Sequence, residues 1–98
     1  ADVRRFEPCP EAGVKVPHMG WNVLSALNTR LFDGLDDGTY VYFVHSFAAD
    51  VSADSIAVSA NGRLFSAALN RENFYGVQFH PEKSGDVGEV ILRNFMKL

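Results

Sequence analysis

Apolar and polar positions fall into blocks with different periods along the chain. From Tyr40 to Phe47 the order is Tyr-Val-Tyr-Phe-Val-His-Ser-Phe, aromatic and β-branched with almost no polar relief. Such a run predicts a strand buried on both faces, closed by the polar pair His45 and Ser46. Polar residues at the end of such a strand stand where α/β folds place ligand contacts. Residues 55–69 surround Asn61-Gly62, a pair that suits a type I′ turn, and predict a hairpin with a two-residue connection. A second loop over 70–73 leads into a strand over 74–79. The period then changes: Val87, Val90, Ile91, Asn94, Phe95 and Leu98 fall on one helical face, and Asp86-Val87-Gly88-Glu89 has the form of a capping box.

The remaining stretches are shaped by breakers. Residues 14–24 read as two short extended pieces joined at 17–20, where Gly20 permits a positive φ or a close backbone approach. Trp21, the only tryptophan, is a core plug or an interface anchor; residue type alone favours the core. Residues 25–39 are connection, with a helical turn at Leu31-Phe32 and breakers at Gly34 and Asp36-Asp37-Gly38. Residues 1–13, with Pro8, Pro10 and Gly13, read as a connecting segment. A strand apolar on both sides needs helices on both faces, and one helix cannot supply them. The expected fold is therefore α/β, a mixed sheet with a hairpin and a C-terminal helix, and incomplete over residues 1–98.

Composition narrows the setting. A chain of 98 residues is one small domain or part of a larger one. Its 47% hydrophobic and 12% aromatic content marks a globular chain. A net charge of −3 with a pI of about 5.5 leaves no basic footprint for nucleic acid. No apolar run approaches the roughly 18 residues of a membrane span, and Ala1-Asp2-Val3-Arg4-Arg5 lacks the form of a signal peptide. One cysteine cannot close an internal disulfide, so the cytoplasm is the expected compartment. A start without Met suits a piece of a longer polypeptide as well as a processed end.

The candidate chemistry lies in Gly76-Val77-Gln78-Phe79-His80-Pro81-Glu82-Lys83-Ser84. Pro81 fixes its own φ and holds His80 extended at a strand end. If the chain stays extended through Pro81, His80 and Glu82 project to one side, and the carboxylate orients the imidazole. That is the base-plus-orienter half of a catalytic triad. The nucleophile is missing: Cys9 sits between Pro8 and Pro10, without the small neighbours or helix start that present a reactive thiol. His18 has no partner at metal-ligand spacing.

Three segments in order carry a resemblance: Val16-Pro17-His18-Met19-Gly20-Trp21-Asn22, Tyr42-Phe43-Val44-His45-Ser46-Phe47, and the stretch from Gly76 to Ser84. Together they resemble the C-terminal half of a class I, triad-type glutamine amidotransferase, and are most similar to the glutaminase of imidazole glycerol phosphate synthase in histidine biosynthesis. The resemblance runs from about Val14 to Leu98. It implies a glutaminase that releases ammonia from glutamine with no metal or organic cofactor. By the same resemblance His80 is the general base, Glu82 the acid that orients it, and Ser46 and Phe47 hold the glutamine α-carboxylate through their backbone. Trp21, Asn22, Tyr42 and Lys83 match the side facing a (β/α)8-barrel cyclase, a separate subunit or a fused domain, to which ammonia is channelled. The family's Gly-x-Cys-x-Gly elbow belongs to an N-terminal half absent here, so the 98 residues alone are expected to be inactive. The alternatives are another triad amidotransferase, or a non-catalytic interaction module of the same fold.

Overall fold

The computed structural model describes residues 2–9, 11, 13, 14 and 16–98. Seven strands and one α-helix follow in the order β1 (Val3–Arg5), β2 (His18–Leu24), β3 (Thr39–His45), β4 (Phe47–Ala49), β5 (Ser55–Ala60), β6 (Leu64–Arg71), β7 (Phe74–Val77) and α1 (Gly85–Met96). Among the described residues, short 3-10 turns lie at Arg30–Phe32 and Pro81–Lys83. The strands pair antiparallel as β1-β4, β2-β3 and β5-β6-β7. Among the described residues no helix is long and apolar enough to cross a membrane.

The run from Tyr40 to Phe47 is not one strand buried on both faces. It breaks at Ser46: β3 pairs with β2, while β4 pairs with β1. On β3, Val41, Phe43 and His45 are buried, whereas Tyr40 is exposed and Tyr42 and Val44 are half-buried. Alternation follows because one layer alone, from β6, Phe79 and α1, covers the strand within these residues. The leading segment also holds more structure than its prolines implied. Val3–Arg5 forms a strand, and Phe6 behind it is fully buried against Phe65.

Other departures have local causes. The hairpin connection has three residues, since Ala60 pairs with Leu64 and Asn61 N–H donates to Arg63 O. Arg63 is drawn into the turn, where its guanidinium reaches Asp50 Oδ1 at 3.2 Å and donates to the carbonyls of Arg4 and Ala48. The segment over 14–24 holds one strand, which begins at His18 and runs through Gly20. The strand expected over 74–79 leaves the ladder after Val77. Gln78 N–H still donates to Ala67 O, but His80 N–H donates to Tyr42 O, so the segment crosses from β6 to β3.

The helix begins at Ser84, not at an Asp86 capping box. Ser84 is the N-cap and makes no side-chain cap, because its hydroxyl is engaged elsewhere. Asp86 lies in the first turn, where a negative charge meets the positive end of the helix dipole. The predicted face is docked only in part: Ile91 is buried, Val87, Val90 and Asn94 are half-buried, and the Asn94 amide donates to Leu31 O and Asp33 O, which ties α1 to the Arg30–Phe32 turn, whereas Phe95 and Leu98 at the far end are exposed.

Candidate active site

The chain reaches His80 extended, at φ −104 and ψ 98, and Pro81 then starts a 3-10 turn. The extended path through Pro81 is therefore not followed. The turn brings the two side chains together all the same. His80 Nδ1 lies 2.8 Å from Glu82 Oε1. Since the carboxylate can only accept, Nδ1 carries the proton and Nε2 is left with its lone pair. Nε2 has no hydrogen-bond partner among the described residues. Both side chains are open to solvent, with 39% of the imidazole and 58% of the carboxylate exposed.

Ser84 anchors this turn, a role that its place in the sequence does not signal. Its buried hydroxyl donates to His80 O at 2.6 Å and accepts from Tyr42 N–H at 3.0 Å. The backbone on both sides of His80 is thereby fixed to β3. Gly88 closes the other side: a Cβ there would stand 1.8 Å from the Pro81 carbonyl oxygen. The signal in the sequence is a glycine in the first turns of an otherwise apolar helical face, which marks close packing of backbone on backbone.

Of the residues matched to a partner surface, Trp21 and Tyr42 share the outer face of β2 and β3. Trp21 stands opposite Tyr42, with ring centroids 6.0 Å apart in an edge-on arrangement. Trp21 is 55% exposed, so the core-plug reading fails. The ring has the parity of Met19 and Val23, opposite to that of buried His18 and Leu24. A Cβ added at Gly85, next to the turn that carries Glu82, would stand 4.0 Å from the edge of the indole, and Lys83 is exposed on that turn. Asn22 has the other parity: its amide donates to Ala60 O and reaches His18 Nε2.

Ser46 and Phe47 lie at the bend between β3 and β4, Ser46 half-buried and Phe47 exposed. His45 beside them and His18 opposite are both buried, with His18 Nδ1 2.9 Å from His45 Nε2. Burial holds the His18 pKa down to about 4, with a smaller push from His45. Burial also lowers His45, opposed by its bond to the Phe47 carbonyl and helped by the charges of His80 and Arg63. Cys9 lies elsewhere, bridged to Val14, and lines a cavity of about 560 Å³ with Arg4, Glu7 and Arg63 that includes neither His80 nor Glu82. Among the described residues no group of His, Cys, Asp and Glu is placed to hold a metal ion.

A solvent-open imidazole with a carboxylate on one nitrogen and a free lone pair on the other is equipped to take a proton from a thiol. Residues 10–98 match the family model of glutamine amidotransferase class-I. The chain belongs to the class-I glutamine amidotransferases. It is 52% identical over 97 residues to the imidazole glycerol phosphate synthase subunit HisH of Bacteroides fragilis, covering 99% of this chain and 49% of that protein. The HisH subunits of Shewanella loihica and Escherichia coli K12 are 55% and 51% identical, over 95% and 88% of this chain and 42% and 44% of theirs. The chain thus spans about half the length of the curated relatives it matches. A crystal structure of a GMP synthase subunit from Thermoplasma acidophilum superposes with a TM-score of 0.71 at 24% identity, covering 98% of this chain and 47% of that one, and shows the shared amidotransferase fold.

Proposed function

We propose that the parent protein is the glutaminase of an imidazole glycerol phosphate synthase, and that this chain supplies the histidine and glutamate of its Cys-His-Glu triad. The contact that carries the reading is His80 Nδ1 to Glu82 Oε1 at 2.8 Å, which holds Nε2 as a proton acceptor. The cysteine comes from the half of the parent outside these residues, on a Gly-x-Cys-x-Gly elbow. His80 Nε2 takes the thiol proton, and the thiolate attacks the side-chain amide carbon of glutamine. The same proton then goes to the nitrogen as the C–N bond breaks, leaving ammonia and a thioester. Water, deprotonated by His80, hydrolyses the thioester to glutamate. Glu82 holds the imidazole in the tautomer that both steps need. Ser46 and Phe47 bind the α-carboxylate through backbone groups.

Ammonia passes to a cyclase of (β/α)8-barrel type in the cytoplasm. The outer face of β2 and β3 with the Lys83 turn is its docking side, supported by the exposed Trp21 and the adjacent Tyr42. Trp21→Ala in the full-length protein is expected to weaken the complex about 30-fold, on the order of 2 kcal/mol, while leaving its melting temperature nearly unchanged. Titration of the partner by calorimetry checks this. Unfolding without any loss of affinity in the folded fraction would contradict it.

The test of the function is turnover. The full-length protein with its cyclase should release glutamate from glutamine and should also accept free ammonium in the cyclase step. Residues 1–98 alone should hydrolyse glutamine no faster than buffer, since His80 has no thiol to activate. Turnover by the isolated chain that Cys9→Ser abolishes would overturn the assignment of the nucleophile.

A further inference from the structure

The buried histidine pair has a hydrogen-bond direction that its two ends dictate. At one end His45 Nδ1 is 2.9 Å from the Phe47 carbonyl, which can only accept, so Nδ1 carries the proton and the neutral ring accepts at Nε2. His18 Nδ1, 2.9 Å away, must then be the donor, and His18 Nε2 accepts. At the other end the Asn22 amide nitrogen, 3.2 Å from His18 Nε2, also donates to Ala60 O at 2.8 Å, while Asn22 Oδ1 accepts from Val23 N–H. Both ends agree. Every side-chain nitrogen and oxygen of Asn22, His18 and His45, and the Phe47 carbonyl, is satisfied with two neutral Nδ1–H rings. Burial favours that state. His18 stacks on Phe43 at 4.9 Å, and Phe6 and Phe65 meet His45 at 5.1 Å, which fixes both ring planes.

The register shows what the relay holds. Phe6 N–H donates to Ser46 O, so Ser46 stands in a hydrogen-bonded pair of the β1-β4 ladder. Arg5 and Phe47 form the next pair, and such pairs alternate, so the N–H and C=O of Phe47 point away from β1. His45 takes that carbonyl. The Phe47 N–H on the same edge is left without a partner on β1, free for an anion.

We propose that His18 and His45 are positioning residues for glutamine: the relay pins the Phe47 carbonyl and so orients the Ser46-Phe47 backbone toward the substrate's α-carboxylate. The proposal rests on the glutaminase reading above and adds two residues that touch neither substrate nor nucleophile.

The test uses the full-length protein in complex with its cyclase. His45→Phe keeps ring volume but removes the donor to Phe47, and is expected to raise the glutamine KM about ten-fold with a smaller change in kcat. His45→Asn places an amide nitrogen where Nδ1 stood, and should recover most of the affinity. Melting temperature and cyclase binding of each variant report folding. A folded His45→Phe with unchanged KM, or a His45→Asn as impaired as His45→Phe, overturns the proposal while leaving wild-type glutaminase activity in place. Absence of glutamine turnover by the wild-type complex would overturn the glutaminase reading and the proposal together. Independently of any variant, long-range 1H–15N NMR of the wild-type complex should find both rings neutral and protonated at Nδ1. A proton on His45 Nε2 at neutral pH would break the relay and sink the proposal.

Discussion

In the full-length enzyme, His80→Ala is expected to lower glutamine-dependent turnover about a thousand-fold or more, while turnover of the cyclase with supplied ammonium persists. The loss follows from geometry: Nε2 is the nitrogen left open when Glu82 engages Nδ1, so the proposed thiol loses the base set to take its proton. Glu82→Gln should be milder yet cost roughly ten-fold or more. A glutamine amide can accept from Nδ1–H but does not stabilise the imidazolium that forms when the thiol gives up its proton. The two substitutions act on one unit, so their effects should not add. Steady-state glutamate release beside ammonium-driven cyclase turnover checks all three points. Wild-type glutamine turnover in His80→Ala would remove this residue from the mechanism.

The second large effect is structural and sits one turn into α1. Gly88→Ala would set a methyl group 1.8 Å from the Pro81 carbonyl oxygen and 2.7 Å from its carbon. Neither neighbour is a flexible side chain, so the helix or the turn that carries Glu82 must move. The expected cost in the full-length protein is about 3 kcal/mol, and glutaminase activity should fall as well, because Pro81–Lys83 includes Glu82. Glu89→Ala is the control. That residue is exposed and its 2.8 Å contact to Arg93 is a surface pair, so its stability effect should stay within about 0.5 kcal/mol. Denaturant midpoints separate the two variants; a Gly88→Ala protein as stable and active as the wild type would mean that helix and turn are not locked as described.

The local part of the site is legible in the sequence. His80 and Glu82 are two residues apart, and the 3-10 turn begun at Pro81 keeps their side chains within reach of each other. The path between them is not legible, because alternation along an extended chain also puts both side chains on one side, whereas the structure takes a 3-10 turn. Residue type misplaces Trp21, although its parity relative to buried His18 and Leu24 puts it outside. The apolar run of β3 overstates its burial for a related reason: Tyr40, Tyr42 and Val44 are apolar enough for a covered face, but these residues supply one covering layer. The relay of His18 and His45 needs the register of β2 against β3 across a separation of 27 residues, which no local pattern fixes. Ser84 hides its role because a serine before a helix reads as a cap, whereas its hydroxyl is engaged by His80 and Tyr42. The α/β class and the hairpin with its closing helix are legible, since each rests on a period or a turn signal of its own.

The central claim is that His80 awaits a thiol from the other half of its parent protein. A crystal structure of the full-length protein measures this directly, as the distance from His80 Nε2 to the sulfur of the elbow cysteine. The account predicts about 4 Å or less, with Glu82 still on Nδ1. An Nε2 facing only solvent, with every cysteine of the parent remote from it, would contradict it.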